Sequence, residues 1–219
     1  MKALPQLAVL AVATVLIAGC KSDTYQKGSA TGAGLQAAAD RINQGSAKID
    51  ATLVTLNDLI KNPGDLVAQF KKYSSSVNDL ESAAKDVQSK VAAMRSKGDD
   101  YFKAWDAQTA QIHNEDIKTR NAARKEAVLK QFTQIKMSYT EASEAFKPFM
   151  SDLKDIQTAL ATDLTPGGVS AIKGVADKAN KDAEPVKASI AKLAGQFKDL
   201  GVAMSAAAPP PPPPAQAPK

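Results

Sequence analysis

The sequence predicts an all-α protein: an elongated antiparallel four-helix bundle or coiled coil with a protruding two-helix finger, a disordered tether before it and a Pro-rich tail after it. Three observations carry that reading. Helix breakers are scarce: between Asp65 and Thr165 the sole glycine is Gly98 and the sole proline is Pro148, a long stretch without loop chemistry. Apolar residues recur in alternating steps of four and three, which keeps one stripe on one helix face. Turn chemistry is confined to Asn62-Pro63-Gly64 and Thr165-Pro166-Gly167-Gly168, short joints that make consecutive helices antiparallel neighbours.

The chain opens with Lys2, an apolar run from Leu7 to Ile17, then Ala18, Gly19 and Cys20. One positive charge, a short apolar core and small residues before a cut describe a secretory leader over residues 1–19. The run is shorter than the roughly 20 apolar residues of a spanning helix. Leu16-Ile17-Ala18-Gly19-Cys20 resembles the lipobox of bacterial lipoproteins. The resemblance implies cleavage before Cys20, acylation of Cys20 and a lipid bilayer as its partner. Two or more acyl chains anchor a protein stably where one binds marginally. Cys20 is the only cysteine, so no intrachain disulfide exists. Lys21 follows it, not the Asp that resembles an inner-membrane retention signal. The expected place is therefore the bacterial envelope, with the body in the periplasm and the outer membrane favoured.

Residues 20–34 are rich in Gly, Ser and Thr, without an apolar period. They read as a flexible tether spanning roughly 20 Å. The helical body is expected over 35–205. Its first stripe is Leu35, Ala39, Ile42, Ser46, Ile49, Leu53, Leu56 and Ile60. Asn62 is placed to cap the second helix, with Pro63 in its first turn. The second stripe runs from Leu66 through Val77, Val91 and Gly98 to Tyr101 and Trp105. No Gly or Pro marks the next joint; the stripe loses phase near Ile112 to Thr119, which places it there. The third stripe runs from Val128 to Leu160 and the fourth from Val169 to Met204. The middle helices are expected to reach about 70 Å, beyond the first and fourth, which leaves the finger. Pro148 and Pro185 each remove a helical donor. Six prolines, Pro209 to Pro214, lie in the tail over 206–219. They favour an extended left-handed helix of roughly 19 Å.

Little in the chain points to reaction chemistry. The single histidine, His113, excludes a histidine pair for a metal, and with Cys20 acylated no thiol nucleophile remains. No metal site, cofactor or catalytic residue is expected, and the protein reads as no enzyme. Charge is modestly basic, 28 Lys and Arg against 23 Asp and Glu, too small an excess to favour nucleic acid. Lys118, Arg120, Arg124, Lys125 and Lys130 nevertheless cluster after the second joint. The up-down topology points that joint toward the anchored end, so these bases are candidate contacts for anionic headgroups. Tyr101 and Trp105, on the finger, are either packed between its helices or anchors for a partner.

The stretches YFKAWDAQ (101–108), YTEASEAFKPFMSDLKDIQTAL (139–160) and IKGVADKANKDAEPVKASIAKL (172–193) resemble a bacterial family of helical envelope proteins known only as a domain of unknown function. The resemblance implies a coiled-coil-rich envelope protein and brings no site residues. The expected function is a membrane-anchored, non-enzymatic scaffold or adaptor for envelope proteins. The alternative is a cell-wall spacer whose Pro-rich tail reaches peptidoglycan. The stripes can be satisfied within one chain or between copies, so a homo-oligomer stays open.

Overall fold

The computed structural model describes residues 23–205. They form α1 (Asp23–Lys61), a 3-10 turn (Pro63–Asp65), α2 (Leu66–Thr109), α3 (Glu115–Thr162) and α4 (Pro166–Met204). The leader, Cys20 and the Pro-rich tail lie outside the described residues. Helices α2 and α3 have 44 and 48 residues, and so run about 66 and 72 Å at 1.5 Å per residue.

Side-chain caps set the helix starts. The Asp65 carboxylate accepts from the Ala68 N–H at 3.0 Å, the Asn114 carboxamide from the Ile117 N–H at 3.1 Å, and the Thr165 hydroxyl from the Gly168 N–H at 3.3 Å. Each satisfies one of the orphan donors of a first turn. Asn62 does not cap α2, because the 3-10 turn intervenes and passes that role to Asp65. The Asn114 cap also moves the second joint forward, to residues 110–114. Pro148 and Pro185 lie inside α3 and α4, which continue past them.

Each helix packs beside its sequence neighbours, and α1 closes the ring against α4; α2 and α3 approach one another least closely. The core falls into two clusters. One, toward the α1–α2 and α3–α4 joints, contains Leu56, Tyr73, Phe149, Leu153, Ala176 and Ala183. The other, toward the α2–α3 joint, contains Leu35, Met94, Phe102, Phe132, Ile135 and Phe197.

Two expectations are corrected here. Residues 23–34 are not a disordered tether but the first three turns of α1. Their glycines and threonine continue the α1 stripe: Gly28, Thr31 and Gly32 are buried ahead of Leu35. A Cβ on Gly32 would stand 2.9 Å from the Gly201 carbonyl oxygen, and one on Gly28 would stand 2.9 Å from the Tyr101 ring. These glycines are where α1 comes close to α4 and α2, a use of glycine that composition disguises as flexibility.

Nor does a two-helix finger protrude. The Thr24 hydroxyl donates to the Ala104 carbonyl at 3.4 Å, and the Arg124 guanidinium donates to the Ala203 carbonyl at 3.0 Å. Helices α1 and α4 therefore flank the last turns of α2 and the first turns of α3. Helices α1 and α4 reach to within about two turns of the α2–α3 joint, because α1 starts twelve residues before the expected Leu35.

Candidate functional site

Two regions stand out: the end of the bundle that carries both chain exits, and a cavity at its waist. At the end, the five candidate bases do not form one face. At about 100° per residue, Lys118 and Lys125 share one flank of α3, Arg120 and Arg124 the opposite flank, and Lys130 points away from the core. Their partners follow this division. Lys125 pairs with Asp106 of α2, Lys118 with Glu115 at 3.6 Å, and Arg124 reaches the end of α4. Arg120 and Lys130 are exposed, and Lys130 stands about 22 Å along α3 from its start. Lys118 and Arg120 thus remain the bases set at the end itself, with Ile117, 55% exposed, beside them. His113 is exposed in the joint.

Tyr101 and Trp105 are half-buried against the second core cluster. Their rings meet edge-on at 5.3 Å. The Trp105 indole N–H donates to the Asn121 carboxamide oxygen at 2.5 Å, and the Thr109 hydroxyl donates to the same oxygen at 2.6 Å. Tyr101 lies over Gly28, and burial raises its phenol above the usual tyrosine range against the opposing charge of Arg124. The pair therefore ties α2 to α1 and α3. The stripe reasoning missed Phe102, which takes the buried place one residue after Tyr101; a drift from a 3.5 to a 3.6 period is the signal that finds it.

At the waist, a cavity of about 260 Å³ opens between α2 and α3. It lies where one core cluster gives way to the other, so Ile49 and Leu80 on one side and Ile42 and Leu193 on the other share its floor. Small residues make the space: Gly45 on α1, Ala83 and Ala84 on α2, Ala142 on α3. Ala84 holds a stripe position that bears Leu, Val or Met on either side. Tyr139 and Phe146 form the α3 wall and stay half-buried. Glu81, Lys85, Gln88, Ser143 and Lys147 stand at the mouth. Among the described residues, no group of three or more His, Cys, Asp or Glu is placed to hold a metal ion. No helix among them is long and apolar enough to cross a membrane.

The family model described as Protein of unknown function (DUF2959) matches residues 25–198. The chain belongs to that family. The DUF2959 match covers all four helices and opens in the first turn of α1, inside the stretch whose composition suggests a tether. No curated protein and no solved structure matches the chain.

Proposed function

We propose that this DUF2959 protein is a lipid-anchored, non-enzymatic helical scaffold of the bacterial envelope, standing end-on at a leaflet and offering its long coiled-coil sides to protein partners. The observation that supports this most is the start of α1. Asp23 lies three residues after Cys20, and the Thr24 and Gly28 contacts hold those first turns against α2. Acyl chains on Cys20 would then hold the bundle by the end that carries Ile117, Lys118 and Arg120. No long tether would let the body swing away. A base close to anionic headgroups adds about 1 kcal/mol, and Ile117 is free to enter the interface.

The same geometry weighs against a wall-reaching tail. Helix α4 ends beside Arg124, so residues 206–219 leave from the end where the lipid would be, not from the distal end.

Mass spectrometry of the mature N-terminus tests the anchor. Diacylglycerol on Cys20, with Cys20→Ser lost from the membrane fraction, is the expected result; a free thiol on a membrane-independent protein overturns it. Cross-linking in the intact envelope tests the scaffold. Defined proteins trapped along α2 and α3, with or without residues 206–219, support it. Trapping only peptidoglycan, and only with the tail present, favours the spacer.

A further inference from the structure

We propose that the waist cavity is a binding site for a fatty acid, with the aliphatic chain inside and the carboxylate at the mouth beside Lys147. The walls are hydrocarbon from all four helices, with Ile42, Leu80 and Leu193 deep and Phe146 and Tyr139 to one side. Such a lining gives a polar ligand nothing to replace its water. Size sets the chain length: a cavity of roughly 150 Å³ holds the six carbons of benzene, so this one of about 260 Å³ takes a medium chain of roughly ten carbons.

The mouth selects an anion. Glu81 is its one carboxylate, and Lys85 at 3.1 Å and Lys154 at 3.3 Å already hold it, which keeps its carboxyl below the usual range. Glu144, a turn before Lys147, does not line the cavity. Lys147, on the opposite lip, is exposed and has no ionic partner among the described residues. The lip therefore carries excess positive charge above an apolar interior, the complement of a carboxylate on an alkyl chain. This site does not depend on the anchoring of Cys20.

The experiment uses residues 20–219 with Cys20→Ser, which carry neither the apolar leader nor an acyl group. Decanoate and, separately, decanol are titrated into this chain by isothermal calorimetry. Saturable binding of one decanoate per chain is expected. Ala84→Leu and Ala142→Leu fill the cavity and weaken binding at least about tenfold while keeping the helical circular dichroism signal. Where a leucine variant loses helicity, Ala84→Val takes its place. Lys147→Gln weakens decanoate about threefold and leaves decanol unchanged. No saturable binding, or cavity-filled variants that bind as the parent does, overturns the proposal. So does a chain ending at Ser205 that binds more than about tenfold tighter than the 20–219 chain, because residues 206–219 are then the occupant.

Discussion

Asn57 of α1 and Asn180 of α4 exchange hydrogen bonds: each carboxamide donates to the other's oxygen, both at 3.0 Å. Asn180 also donates to the Ala176 carbonyl one turn back, at 2.9 Å. The pair is half-buried within an otherwise apolar seam. A slide of α1 along α4 by one turn would leave both amides facing hydrocarbon, so the pair favours one register over its neighbours. Replacing Asn57 alone with Leu strands Asn180 and should cost about 1–3 kcal/mol in denaturant unfolding. The Asn57→Leu/Asn180→Leu double variant should recover most of that. Additive losses in the two single variants, with no recovery, rule out the coupling.

Glycines in this bundle have opposite roles at different positions. A Cβ on Gly98 would lie 2.2 Å from Cζ of Phe132, whose ring also meets Phe102 edge-on at 5.6 Å. Phe132 is itself buried, with the Lys136 ammonium 5.0 Å from its ring centre. Gly98→Ala should therefore destabilise by about 1–2 kcal/mol, the overpacking cost less the gain of helix propensity. Gly174 and Gly195 have nothing within 4 Å of the same position, and alanine there should stabilise by about 0.5–1 kcal/mol each. Thermal melts of the three variants check both signs.

The Tyr73 hydroxyl is buried and donates to the Leu153 carbonyl of α3 at 2.7 Å. Burial raises its ionisation well above the ordinary tyrosine value of 10.0. Its folded pKa exceeds its unfolded one, so its contribution is whole below about pH 10 and fades as pH rises further. Tyr73→Phe should be less stable than the parent by about 1 kcal/mol near neutral pH. The gap should narrow above about pH 10, by up to about 1.4 kcal/mol per pH unit. Urea titrations at pH 7 through 11 decide it; a constant gap would mean the phenol ionises freely in the folded state.

The helices were legible because each carries an apolar stripe and two of the three joints carry Pro and Gly. Thr165 and Pro166 work as their types suggest, one capping and one occupying the first turn. The joint at 110–114 was harder, since only Asn114 marks it, and a lone Asn is common within helices too. The start of α1 was not legible at all. Gly28, Gly32 and Thr31 contribute almost nothing to an apolar pattern, and their value appears only against Tyr101 and Gly201. The waist cavity was hidden for a related reason. Ala84 and Ala142 satisfy the stripe, and what they leave unfilled depends on what faces them from α1 and α4. Charge clustering misled in the other direction, because bases adjacent in sequence leave α3 on different faces.

The approach of Gly32 to Gly201 gives the sharpest test of the early start of α1. A Cβ on Gly201 would meet the Gly32 carbonyl oxygen at 2.9 Å and Cγ of Gln36 at 2.9 Å. The first contact is backbone, so relief requires α1 to move as a unit. Gly201→Val should push the first turns of α1 away from α4, while the cluster around Leu56 and Phe149, farther down the rod, stays packed. Hydrogen exchange should then rise in residues 23–35, with protection around Leu53 to Leu59 unchanged, since local opening need not propagate through a long bundle. Because Gly28 sits under Tyr101, the same displacement should expose the Tyr101–Trp105 pair and shift the emission of Trp105, the only tryptophan, to the red. Exchange in residues 23–35 that is already fast in the parent, and no faster in Gly201→Val, would mean that this stretch is not held as a helix against α4.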